Sequence, residues 1–176
     1  MKYTNPNIES SYRENDIGRT LYHFVINEKP KKIIEFGTLN GYSAVAMAMA
    51  LHELGEGKVI CYDLWDKYPY KHSSREETQR NIDKYGLSDF IELKEGDFFS
   101  WKPESFDLCH LDISNTGQIL RKAKEKFENN GIVIFEGGSD ERDMVEWMQK
   151  YDKEKIRNSI DYKIIDKDFP SLSQML

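Results

Sequence analysis

The chain has 176 residues, of which 39% are hydrophobic and 32% charged, with a formal net charge of −6. That length suits one domain, taken here as residues 1–176, with enough chain to bury a real core. The acidic balance disfavours a nucleic acid partner, whose phosphates require clustered Lys and Arg; here the basic residues are mixed with acids, as in KAKEKFE and DKEKIR, the pattern of solvated helix faces.

No apolar stretch reaches the length of a membrane span, and the opening MKYTNPNIESSYREND lacks an apolar signal core, so a soluble cytoplasmic protein with no membrane partner is expected. Cys61 and Cys109 each sit inside an apolar run and read as small buried hydrophobes, not as a disulfide or a zinc site.

In chain order, Ile17 to Ile26 has a helical pattern, closed off by Pro30. Lys32 to Phe36 (KIIEF) is a buried strand broken by Gly37, and Tyr42 to Leu54 is a helix of good formers whose Ala/Met pattern is core packing. Gly55 and Gly57 end it, and Lys58 to Tyr62 (KVICY) is the next strand. Ser74 to Tyr85 is a helix with a capping box of Ser74 and Glu77, stopped by Gly86. Phe90 to Lys94 and Phe106 to Leu111 are two further strands, followed by an amphipathic helix over Gln118 to Phe127. Ile132 to Phe135 is a strand, Asp140 to Tyr151 a helix, and Tyr162 to Ile165 another strand. The tail FPSLSQML, entered at Pro170, suits a hairpin and hence an antiparallel final strand.

Near-continuous apolar strands alternating with helices imply an α/β doubly wound, Rossmann-like sheet of about seven strands, mostly parallel and covered by helices on both faces. Right-handed crossovers then gather the carboxyl ends of the strands on one edge, where such sheets bind ligands.

Functional residues are therefore sought at strand ends. Glu35-Phe-Gly37-Thr38-Leu39-Asn40-Gly41-Tyr42-Ser43 joins the first strand to its helix. Glycine admits positive φ and close approach by a ligand, and the helix start offers free N–H groups to a carboxylate; a tight turn with no ligand is the plainer alternative. Asp63 ends the second strand, where a carboxylate can accept from both ribose hydroxyls or simply cap a loop. Trp65 can lie against an adenine face or serve as a core or lid aromatic. A nicotinamide dinucleotide is disfavoured, because Leu39 stands where a pyrophosphate-binding loop needs its middle glycine.

IIEFGTLNGYS, VICYDLW, LKEGDFFSW, FDLCHLD and GIVIFEGG follow one another in the order and spacing of a known family. Over essentially its whole length the sequence resembles the class I S-adenosylmethionine-dependent methyltransferases, closest in flavour to those that methylate small molecules on oxygen. The resemblance implies that Glu35, Gly37, Thr38, Gly41 and Ser43 line the methionine end of the cofactor. Asp63 would hold the ribose, with Leu64 and Trp65 near the adenine. Asp97 and Phe98 would meet the adenine amino group and edge, and Asp112 would lie near the transferable methyl.

Asp112, His110 and Glu136 are the catalytic candidates. Asp112 and Glu136 end neighbouring strands with oxygen ligands that suit a divalent ion. Glu136 is however followed by Gly137-Gly138, where the metal-dependent relatives carry a carboxylate–amide pair, and the stretch after Asp112 lacks their acidic-His sequence, so no metal site is assigned. His110 shares a sheet face with Asp112 and reads either as a base or as a structural hydrogen-bonding residue. Trp65 to His72 (WDKYPYKH) suits a lid, with His72 itself read as a solvated loop residue; His23 and His52 receive no role. The expected partner is a small-molecule acceptor, and a homodimer would be one way to complete an open pocket. The alternatives are a cofactor-binding module or partner subunit without turnover, and a methyltransferase of RNA or protein.

Overall fold

The computed structural model describes residues 1–69 and 73–176. Strands β1 (Lys32–Phe36), β2 (Lys58–Asp63), β3 (Ile91–Glu95), β4 (Leu108–Leu111), β5 (Ile132–Glu136), β6 (Tyr162–Asp166) and β7 (Leu172–Met175) form one sheet in the order β3-β2-β1-β4-β5-β7-β6. The first five are parallel, and β7 runs antiparallel between β5 and β6. The expected doubly wound sheet and its antiparallel final strand are both present.

Because the sheet is covered on both faces, alternate residues of each strand enter different cores. Ile33 of β1 and Leu108 of β4 pack with α1 (Ile17–Glu28), α2 (Tyr42–Leu54) and Ile82 of α3 (Arg75–Lys84). Ile34, Phe36, Cys109 and Leu111 face the other way, onto Leu120 and Ala123 of α4 (Gly117–Lys126) and an aromatic group of Phe98, Trp101, Phe106 and Phe127. Every residue from Ala44 to Leu51 is fully buried, so α2 reads as core packing throughout. Among the described residues no helix is long and apolar enough to cross a membrane.

The start of α3 follows half of the expected capping box: Ser74 Oγ accepts from the Glu77 amide at 3.1 Å. The helix expected over Asp140 to Tyr151 is instead two short helices, α5 (Asp140–Asp143) and α6 (Glu146–Lys150). Asp143 is fully buried and accepts from the amides of Ile156 (2.8 Å) and Arg157 (3.2 Å), while the preceding Arg142 turns to Glu136. These tertiary partners draw the chain out of a continuous helix, and Val145 adopts an extended ψ of 149° between the two pieces. The fourth strand begins at Leu108 and not at Phe106, since the Asp107 carboxylate is spent on the amides of Lys31 and Lys32, at 2.8 Å each.

Gly37 sets how closely the loops after β1 and β4 approach. Its φ is +84°, and a Cβ there would stand 1.8 Å from the carbonyl oxygen of Asp112. Gly37→Ala adds left-handed strain of roughly 1–2 kcal/mol to that collision, so we expect a total loss of at least ~2 kcal/mol. The shift of the urea midpoint measures it, and a neutral substitution would refute this account of the loop.

Candidate active site

The strand order reverses between β1 and β4, and the loops leaving their carboxyl ends part there. They enclose a cleft of 1120 Å³. Of the residues singled out from the sequence, Gly37, Thr38, Ser43, Asp63, Leu64, Trp65, Asp97, Phe98 and Asp112 line it. Glu35, Gly41, His110 and Glu136 do not; they lie behind its walls.

Asp63 organises the first wall. One carboxylate oxygen accepts from the amides of Thr38 and Leu39, both at 2.8 Å, and the other from those of Leu64 (2.7 Å) and Trp65 (2.9 Å). A carboxylate has about four lone-pair sites, so this one is saturated by backbone and ties the loop after β1 to the loop after β2. Trp65 takes the core alternative: it is 4% exposed, and its indole N–H donates to Thr78 Oγ1 (3.0 Å) and Leu39 O (3.3 Å), leaving only an edge on the cleft. Asp97 accepts from Phe99 N and Ser100 Oγ, each at 2.7 Å. Burial opposes its ionisation, but those bonds and the nearby Lys126 charge hold the carboxyl below the usual range.

Polar atoms at the bend after β1 lack partners. Thr38 Oγ1 and Asn40 Oδ1 are buried at the cleft wall without a hydrogen bond, as is Glu35 Oε2 just behind it. Helix α2 begins after Gly41, at φ 91°, with no side chain capping its first amides.

Two buried polar groups stand behind the floor. Glu35 and His110 face each other across β1 and β4 and are fully buried. A carboxylate only accepts, so His110 Nδ1 donates to Glu35 Oε1 at 2.9 Å; Ser43 Oγ donates to the same oxygen at 2.6 Å. Burial pulls the imidazole down, but Glu35, Asp112 and Glu136 outweigh it and raise His110 above its ordinary value. Asp112, half-buried on the cleft floor, is pushed up by burial and by Glu35 against the charge of His110, a hydrogen bond from Tyr12 and the charge of Arg142.

The second group is Glu136, whose two oxygens accept from Arg142 Nε and Nη2, the latter at 2.9 Å. Burial pushes this carboxyl up to about 7, with Arg142 opposing and Asp112 adding to the shift. The Arg142 guanidinium lies 5.0 Å from the ring centre of Trp147, which lines the cleft.

Some lining residues carried no signal in the sequence. Glu9 to Tyr12 come from a polar, aperiodic segment that reaches the cleft because Ile8 and Tyr12 are buried in the core and Asn40 Nδ2 donates to Glu9 O at 3.3 Å. Trp147 and Tyr151 come from the region read as one helix, where an aromatic pair four residues apart was the available hint, and Lys153 from just beyond it. Gln118 and Lys122 sit one turn apart on α4. Of the stretch expected to form a lid, Trp65 and Tyr68 line the cleft, while Tyr70, Lys71 and His72 lie outside the described residues.

A family model described as a methyltransferase domain matches residues 34–137. Over 89 residues, 47% of the chain, the sequence is 33% identical to a catechol O-methyltransferase of Niastella koreensis, and the match spans 37% of that relative's length. The chain thus corresponds to little more than a third of the curated relative. The SAH-bound methyltransferase PaMTH1 of Podospora anserina superposes with a TM-score of 0.65 at 19% identity, over 95% of this chain and 79% of its own. An O-methyltransferase from Bacillus cereus in complex with SAH gives 0.63 at 17% identity, over 98% and 84%. At these identities the structural likeness concerns the fold.

Arg142→Met leaves Glu136 buried without its cation, a change that costs about 3–5 kcal/mol in comparable sites. The carboxyl is already pushed up to about 7 with Arg142 present, so the charge penalty relative to wild type is absent below that value and grows as pH rises above it. We expect a large loss of stability near about pH 8 and a much smaller one near about pH 5. Equal losses at the two pH values in urea unfolding would show that Glu136 is not the group left uncompensated.

Proposed function

The chain belongs to the methyltransferase-domain family, and on that premise we propose that it transfers a methyl group from S-adenosylmethionine to an oxygen of a small-molecule acceptor. The observation that carries this reading is the wall after β1, where Thr38 Oγ1, Asn40 Oδ1 and Glu35 Oε2 have no partners beside the uncapped start of α2. An amino-acid tail fits that pattern: its ammonium supplies donors to buried acceptors, and its carboxylate suits the free amides and positive end of the helix.

Gly37, Thr38, Gly41 and Ser43 form the tail's subsite in this proposal, with Glu35 supporting it from behind. Asp63 is the residue on which the ribose subsite is built, because it fixes both loops flanking it. Leu64, Asp97 and Phe98 border the adenine, with the edge of Trp65. When bound, the sulfonium supplies an activated methyl: its S–C bond breaks as the O–C bond forms, and the acceptor's proton leaves. The protein aligns the acceptor and shields the site from water. Asp112 stands on the floor, with Tyr12 and the Trp147–Tyr151 pair on the acceptor side.

We invoke no divalent metal, since Glu136 is committed to Arg142. A small-molecule acceptor, with no nucleic acid, accords with the net charge of −6, and a cytoplasmic location completes the reading. A second reading, a cofactor-binding module without turnover, is favoured by one observation: His110 and Glu136 lie behind the cleft wall and not in it.

Calorimetry with S-adenosylhomocysteine, paired with an assay of its release over a panel of catechols, phenols and hydroxy acids, separates the two. Wild-type protein should bind and turn over. Asp63→Ala, which removes charge-assisted bonds of about 1.5–3 kcal/mol, should weaken binding roughly tenfold or more. Binding without turnover on any acceptor would favour the module, and no binding at all would end both readings.

A further inference from the structure

Behind the acceptor side of the cleft, three buried side chains form a line from the cleft wall into the core. Tyr12 lines the cleft and is 1% exposed; its hydroxyl lies 3.4 Å from His110 Nε2. His110 Nδ1 lies 2.9 Å from Glu35, which Ser43 also holds. Among the three, only Tyr12 reaches the cleft. We propose that the Tyr12 hydroxyl takes the proton of the acceptor and passes its own to His110 Nε2, while Glu35 holds the imidazole from behind. This rests on the methyl-transfer reading and adds to it a catalytic tyrosine and two residues acting through it.

The protons balance. As the acceptor oxygen gains its methyl, its proton moves to Tyr12 Oη, the original Tyr12 proton moves to His110 Nε2, and the imidazole becomes imidazolium. The tautomer is set for this, because a carboxylate on Nδ1 requires the proton there and leaves the Nε2 lone pair towards the tyrosine. Because Tyr12 gains one O–H proton as it gives up another, the hydroxyl stays neutral and no buried phenolate forms. Burial, the Asp112 charge and a hydrogen bond to the Asp112 carboxylate keep Tyr12 protonated, so it is a conduit and not the base. Its hydroxyl turns from Asp112 to His110 Nε2 as it takes the acceptor's proton.

The new positive charge on His110 meets Glu35 from β1, Asp112 just past the end of β4, Glu136 from β5 and the Tyr12 hydroxyl, with Arg142 of α5 the opposing cation beyond Glu136. The 3.4 Å contact is of the long kind that ligand-free sites show and that tightens when substrate binds. A buried acid–histidine pair is seldom better for stability than an apolar pair of the same volume. Its place at the centre of the sheet, ending on a cleft-lining hydroxyl, points to proton transfer.

The test uses Tyr12→Phe, which keeps the ring in the core. Its affinity for S-adenosylhomocysteine should stay within about twofold of wild type, while kcat falls by about 10²–10⁴-fold, the usual reach of general acid–base catalysis, with little change in acceptor KM. Neutral His110 is the acceptor form and its pKa is raised, so wild-type turnover should climb with pH through a step above about 6.5. Glu35→Gln should move that step to lower pH. Independently of turnover, the imidazole ¹⁵N shifts of the resting protein should show neutral His110 protonated on Nδ1.

A Tyr12→Phe enzyme within about threefold of wild-type kcat overturns the relay and leaves methyl transfer standing. A neutral His110 carrying its proton on Nε2 also overturns it, whatever the activity. A wild-type protein that binds cofactor but methylates none of the panel removes the relay and the methyl-transfer reading together.

Discussion

Strands β1 and β4 lie side by side with Glu35 opposite His110, and the site depends on that pairing. Here the strand order turns outward in both directions, so the chain leaving β1 and the chain leaving β4 cross to different faces of the sheet and open a cleft. A parallel sheet covered on both faces has no wet side. A carboxylate and an imidazole in its two central strands are therefore buried by topology and must satisfy each other. They do so on the α2 face, while Ile34, Phe36, Cys109 and Leu111 build the aromatic-rich core on the opposite face. One alternation thus separates a polar line under the cleft from an apolar support beneath it.

The loops carry that order to the surface. Gly37 lets the turn after β1 sit against the Asp112 carbonyl, an approach closed to any residue with a Cβ. Leu39 then adopts a φ of 48°, unfavourable for a non-glycine residue, on a turn that Asp63 clamps through two amides. The same carboxylate clamps Trp65, another non-glycine residue at positive φ. Strain of this kind persists where surrounding bonds over-determine the backbone, and here one side chain supplies four of them. The bend is shaped before any ligand arrives, the arrangement that lowers the ordering cost of binding.

Much of this was legible in the sequence because buried parallel strands are short apolar runs and each one ends at a candidate functional residue. Gly37, Asp63 and Asp112 could be placed at the sheet edge from their position at a strand's end, and Asp97 from the family resemblance. Partnership was not legible. Glu35 and His110 are 75 residues apart, and their pairing follows from strand register, which a hydrophobic pattern does not encode. The break between α5 and α6 has the same origin: the local pattern is helical, but Arg142 and Asp143 have partners elsewhere in the fold. Tyr12 lay in a segment with neither periodicity nor a motif. Its position became apparent only once the core holding Ile8 and Tyr12 was assembled.

The cleft wall around Tyr12 and Trp147 repeats one device twice. On β1 and β4 the buried pair Glu35–His110 ends on Tyr12; beside β5 the buried pair Glu136–Arg142 ends on Trp147. In each case a charge that would be costly alone is paired in the interior, and its free side meets an aromatic residue lining the cleft. A loosely packed aromatic would sample several rotamers, whereas one held against a fixed imidazole or guanidinium is confined in position. Asp112 lies between the two pairs and feels the charges of both His110 and Arg142. The acceptor would thus meet one polarised hydroxyl, one oriented indole and one acid whose ionisation both pairs govern. The proposed reaction needs that rigidity, because a methyl transfer in line to an oxygen tolerates little misplacement.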